Sequence, residues 1–419
     1  MHVCRRWRSI VFESPRHLDL RLCCTARTPV QDMLDVWPPF RLVIYDIATL
    51  IENVDNVLAA LEHRDRVDEI HLSLVNGSSF EKVLAAMQEP FPELTFLDLS
   101  SNEEPVPIVP DSFLGGSAPR LTFLLLGGIP FPDLPKLLLS ATNLVNLQLS
   151  NIPHSGYISP DAVVTALSAL TSLQILWLEF QSPRSHPDQA SRLPPPPTRP
   201  VLPTLTAISF KGVCEYLDDL VARIDAPQLN RLYITFFNDI IFDAPHFIQF
   251  ISRTPLKPLE IAHVVFGYHA ARVSFSQTFG YGSLEVRITC RELDWQVSSL
   301  EQVCTSCLPP LSRTEDLYIH SDPYSHPHWQ DNIENSLWLE LLHPFTALKS
   351  LHLSKEFVPR IAPALQELVG NRTTEVLPTL QIILLEELKP SEPVQEGIEK
   401  FVAARQLSGH SIAVSLWER

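Results

Sequence analysis

An α/β repeat fold is predicted, with a parallel sheet on an inner face and helices outside it. Three observations predict it. A pattern of apolar, two residues, apolar, one residue, apolar recurs along most of the chain. Segments with helical spacing lie between the copies. The chain has 419 residues, 45% apolar and 19% charged, which is enough to bury a core and too long for one that does not repeat. There are 37 prolines and only 13 glycines, against usual shares of about 5% and about 7%. That balance argues against Gly-loop nucleotide folds and favours short elements joined by stiff turns.

The strands follow from the apolar pattern. It begins as Val67/Ile70/Leu72 and continues as Leu94/Leu97/Leu99, Leu121/Leu124/Leu126, Leu144/Leu147/Leu149 and Leu173/Leu176/Leu178. Later copies are Leu205/Ile208/Phe210, Leu229/Leu232/Ile234 and Leu256/Leu259/Ile261. Thr314/Leu317/Ile319 is degraded; Leu348/Leu351/Leu353 and Leu380/Ile383/Leu385 are regular. First positions from 67 to 256 are 23 to 32 residues apart, and the step from 256 to 314 is double. Within that step the alternating Leu284–Ile288 supplies a missing strand. In each copy the alternating pair points to one face, and the earlier residue packs the turn before it. One unit cannot bury that face, whereas stacked units can. The period identifies the array as leucine-rich-repeat-like, a solenoid.

Helices are expected at 79–87, 160–170, 215–224, 245–251, 292–303, 333–342, 361–369 and 394–404. Pro160 and Asp161 suit a helix start. The Asn that completes the usual repeat motif stands at Asn102 and is missing at most equivalent positions, so other turn chemistry must replace it. Residues 181–203 break the rhythm. Pro194–Pro197 cannot pair in a sheet and favour an extended polyproline conformation, giving a loop between two repeats.

At the N-terminus, His2-Val3-Cys4-Arg5-Arg6-Trp7-Arg8-Ser9-Ile10-Val11 precedes Ser14-Pro15. Val3, Trp7 and Ile10 fall on one apolar helical face. The run resembles the C-terminal part of an F-box, with Cys4, Arg6, Trp7, Arg8 and Ile10 at that family's spacing. The cadence of the rest is similar to the F-box-like proteins of mushroom-forming fungi. The resemblance implies a partial F-box over 1–20, a repeat array over 21–419, and an adaptor of a Skp–cullin–F-box ubiquitin ligase. Val3, Cys4, Arg6, Trp7, Arg8 and Ile10 would face the Skp adaptor where a full F-box stands upstream, and the repeats would hold a protein substrate. A stand-alone repeat scaffold, or a truncated F-box product without ligase association, is the alternative.

The formal charge is −16. Six Arg against Glu13 and Asp19 make the first 28 residues +4, so the remainder carries −20. Such a field repels a phosphate backbone, and no nucleic-acid partner is expected. The longest uncharged stretch, 137–160, contains three Asn, Gln148 and Pro153, so no membrane span is expected. Seven Cys form an odd, sparse set, which suits a reducing cytoplasmic or nuclear setting.

Catalytic chemistry is not expected. Cys304-Thr-Ser-Cys307 lacks the second pair that a zinc site needs. His320, His326 and His328 lie in a proline-broken loop without a fourth ligand. Asp218/Asp219 and Glu386/Glu387 are sequence neighbours whose side chains diverge. No phosphate-cradling or nucleophile-elbow motif is present. No enzyme activity, metal or cofactor is therefore expected.

The residues flanking the buried strand positions would face the hollow of the array. They give a partner site of Phe96, Asp98, Phe123, Gln148, Trp177, Glu179, Lys211, Arg231, Tyr233, Tyr318 and His352. Aromatics and Arg are the usual anchors of interfaces. Trp177 and Tyr233 are the expected anchors, with Arg231 and Glu179 orienting the partner.

Overall fold

The computed structural model describes residues 6, 20–27, 30, 33–34, 40–46, 54–74, 77–101, 107–183, 198–237, 242, 244–256, 260–276, 284–308, 311–322, 333–368, 372–386 and 392–417. The chain forms two compact units, divided at Thr206/Ala207 except for a short piece of the proline-rich stretch. Each is a leucine-rich-repeat-like α/β layer.

The first unit holds β1 (Arg21–Cys24), β2 (Arg41–Asp46), β3 (Val67–Leu74), β4 (Phe96–Ser101), β5 (Phe123–Gly127), β6 (Asn146–Ile152) and β7 (Ile175–Phe180). They pair in sequence order, all parallel. Leu97, Leu124, Leu147 and Leu176 are direct partners on four adjacent strands, as the leucine spacing predicts. All four are at most 1% exposed, and burial of each is worth roughly 1.5–3 kcal/mol. The helices α1 (Asp55–Leu61), α2 (Gly77–Ala86), α3 (Leu134–Leu138) and α4 (Pro160–Leu167) bury their apolar stripes, such as Phe80, Val83 and Leu84 of α2. Helix α4 starts where Pro160 suggests. Ser159 caps it, its hydroxyl accepting from Ala162 N at 3.3 Å.

Continuity between repeats is carried just before each strand. Thr95 N donates to Asp68 O, Thr122 N to Thr95 O and Val145 N to Thr122 O, each at 2.8 Å. The Thr95 and Thr122 hydroxyls donate to the same carbonyls, at 3.2 and 2.9 Å. Thr289 shows the same pair of bonds in the second unit, its N and hydroxyl donating to Phe236 O at 3.1 and 2.8 Å. Asn102 lies outside the described residues.

The second unit holds β8 (Ala207–Gly212), α5 (Cys214–Val221), β9 (Arg231–Phe236), α6 (Pro245–Arg253), β10 (Ile261–Phe266), β11 (Ala271–Ser276) and β12 (Leu284–Ile288). It continues with α7 (Leu293–Gln302), a π-helical turn at Val303–Cys307, β13 (Asp316–Ser321), α8 (Asn335–Leu342), β14 (Ser350–Leu353), α9 (Val358–Gln366), β15 (Ile382–Leu385), α10 (Glu392–Leu407) and β16 (Ala413–Leu416). All eight expected helices are present, with ends shifted by a few residues.

The sheet order here is β8-β9-β12-β11-β10-β13-β14-β15-β16. Strand β11 is antiparallel to both β10 and β12; the other pairs are parallel. The all-parallel expectation fails there for a physical reason. Only Gly267–Ala270 joins β10 to β11, closed by Gly267 N to Ala270 O at 2.9 Å. So short a link can reverse a strand but cannot cross over to a parallel one. The expected copy Leu256/Leu259/Ile261 is also out of register. Ile261 is half-buried, and Ala262, Val264 and Phe266 are the buried set. Leu259 lies outside the described residues.

Candidate protein-interaction faces

In both units most strands alternate buried residues with half-buried or exposed ones; β16 is exposed throughout. The buried set meets the helices, and the other set forms an open sheet face.

On the first unit's face, one row runs Glu69, Phe96, Phe123, Asn146, Ile175. The next runs Tyr45, His71, Asp98, Leu125, Gln148, Trp177. Phe96 and Phe123 stack at 4.1 Å with 4° between planes. His71 stacks on Phe96 at 4.3 Å, and Tyr45, which is exposed, tilts against His71 at 5.6 Å. Four neighbouring strands thus share one aromatic ribbon. Burial pushes the Asp98 carboxyl above its usual range, and His71 opposes that shift. Asn146 Oδ1 is buried and has no hydrogen-bond partner among the described residues. Trp177 is 36% exposed, while Gln148 and Glu179 are half-buried.

On the second unit's face, one row runs Ser209, Tyr233, Glu285, Ser274, His263, Tyr318, His352. The neighbouring row runs Lys211, Thr235, Arg287, Arg272, Val265, His320. Arg231 is exposed at the start of β9, and Tyr233 is half-buried. Lys211 Nζ sits 5.8 Å from the centroid of the Phe237 ring. Tyr318 stacks on His352 at 3.8 Å and on His263 at 4.6 Å. Trp417 meets Tyr318 and His352 edge-on, at 5.5 and 5.4 Å. Tyr318 and His352 are consequently only 6% and 7% exposed, packed against the chain's own C-terminal segment. That narrows the candidate surface to the remaining residues. Burial pulls His263 down to about 4, helped by His320, His352 and Arg272. Burial also lowers His352, against the pull of Asp316.

Of the F-box-like residues, Arg6 is helical and exposed; Val3, Cys4, Trp7, Arg8 and Ile10 lie outside the described residues. His326, His328, Glu387 and the Pro194–Pro197 run also lie outside them. Sequence reasoning missed Tyr45, His71, His263, Arg272, Glu285 and Arg287 as face residues. The period-two alternation of Ala271–Ser276 was the available signal for Arg272, and that of Leu284–Ile288 for Glu285 and Arg287.

The other singled-out groups have structural roles. Asp218 accepts from Phe247 N at 2.9 Å and lies 2.8 Å from His246 Nδ1, at the start of α6. Asp219 instead pairs with Arg223 at 2.8 Å. Cys304 and Cys307 are both buried, and burial pushes the Cys304 thiol up. Cys307 shares a hydrogen bond with the Cys214 thiol, which is pushed up by that bond and by burial. Among the described residues, no group of three or more His, Cys, Asp or Glu could hold a metal ion. No described helix is long and apolar enough to cross a membrane. The chain matches no protein-family model and no curated protein.

Proposed function

We propose that the chain is a non-enzymatic adaptor that holds a protein partner on its open sheet faces and links it to a Skp–cullin–F-box ubiquitin ligase. The setting is the reducing cytoplasm or nucleus. The observation that carries the binding role is the aromatic ribbon of exposed Tyr45 with half-buried His71, Phe96 and Phe123, with Trp177 exposed on the same face. Large aromatics that the fold leaves partly open are the usual energetic anchors of interfaces. The ligase link rests on the F-box-like residues Val3, Cys4, Arg6, Trp7, Arg8 and Ile10.

Titration of the purified full chain against purified Skp adaptor tests that link. The expected result is a saturable complex that Trp7→Ala with Ile10→Ala weakens by about tenfold or more. No association with the wild-type chain would overturn the ligase role and leave a stand-alone binding scaffold.

A further inference from the structure

Arg272 and Arg287 are direct partners across the antiparallel β11–β12 pair. Their side chains share the open face, because Ala271, Val273, Val286 and Ile288 take the buried one. Like charges directly opposite on a sheet repel. Neither guanidinium has a hydrogen bond or ion pair among the described residues. Lys211 stands in the same row, beyond Thr235, and Arg231 lies exposed on β9. Glu285 lies one row away and pairs with neither Arg. An uncompensated cationic row is thus maintained on a chain whose net charge is −16.

We infer that the Arg272–Arg287 pair, with Lys211 and Arg231, is the binding site for an acidic, carboxylate-rich segment of a protein partner. Two adjacent guanidinium forks suit planar oxyanions taken two donors at a time. Tyr233, in the adjoining row, offers a ring to the segment's apolar atoms. A short segment meets these cations and, one row away, Glu285, since charges beyond about 8 Å are largely screened at physiological salt. A long polyanion such as a nucleic acid would also meet the acidic remainder. The inference deepens the reading that the sheet face holds a protein, and rests on it.

The test is fluorescence anisotropy of the full chain with three labelled probes: a glutamate-rich peptide, its glutamine counterpart, and a single-stranded oligonucleotide. The glutamate peptide should bind, more weakly as salt rises, and the glutamine peptide should not. Arg272→Gln with Arg287→Gln should cost about tenfold or more in affinity. Glu285→Gln should strengthen binding, and Arg313→Gln, at an exposed turn outside the row, should change nothing. The double variant should also raise the thermal midpoint, showing that lost binding is not lost folding. Equal binding of the two peptides, an unaffected double variant, or tighter binding of the oligonucleotide would overturn the assignment. Failure here leaves Skp association intact, whereas absence of Skp association leaves the peptide result standing.

Discussion

Gly128 follows β5 with φ +70°, and a Cβ there would sit 2.2 Å from the Ser101 carbonyl oxygen of the neighbouring repeat. The left-handed conformation alone costs a non-glycine residue roughly 1–2 kcal/mol. The clash is with backbone, which has no rotamer to move. Gly128→Ala should therefore destabilise the chain by about 2 kcal/mol or more, as a fall in the denaturant midpoint. An unchanged midpoint would mean that the two repeats do not approach this closely. Asn151 shows the contrast. It has φ +51° where the β6–β7 register shifts, and Asn tolerates that region better than most residues.

At the scale of elements, the His263, Tyr318 and His352 rings link β10, β13 and β14. The groups facing His263 are His320, His352, Arg272, Tyr318 and Ser274, none of them acidic; Asp316 acts on His352. An unfolded His takes its proton near pH 6.5, whereas folded His263 waits until about 4. Between those values the unfolded state holds more protons, so stability is complete above about pH 6.5 and is lost as pH falls toward 4. At about 1.4 kcal/mol per pKa unit, discounted for partial exposure, the loss is on the order of 2 kcal/mol. His263→Gln should flatten the thermal-midpoint profile across this window. A profile as steep as the wild type's would place the acid sensitivity elsewhere.

The same elements show what a sequence can reveal. Leu94/Leu97/Leu99 and its regular successors were legible because an alternating pair with a fixed lead residue has one solution, a strand buried on one side. The helix at 160–167 was legible from Pro160 and Asp161. The β1 and β2 strands, the β10 register and the β11 reversal were not. RLCC and RLVIYD carry no lead leucine at the repeat spacing, and β11 exists because of a four-residue hairpin rather than a repeat. On the faces, Phe96, Phe123, Trp177 and Tyr233 followed directly from strand alternation. The burial of Tyr318 and His352 did not, because the Trp417 that covers them belongs to a segment with no repeat signal.

For the molecule as a whole, both units use the same device: helices bury one side of a sheet, and the other side is the face proposed for recognition. Two of the proposed binding residues, Trp177 and Tyr233, stand on separate units. Each is partly open, so truncation should remove binding energy and little stability. The most direct measurement is quantitative affinity capture from cells with three full-length chains: wild type, Trp177→Ala with Tyr233→Ala, and a control carrying Glu81→Ala and Lys400→Ala on exposed helix surfaces. At least one protein held by the wild type and the control should fall by about tenfold or more with the face variant, whose thermal midpoint stays close to the wild type's. Identical captures from all three chains, or a face variant that unfolds, would contradict the assignment of these sheet faces to partner binding.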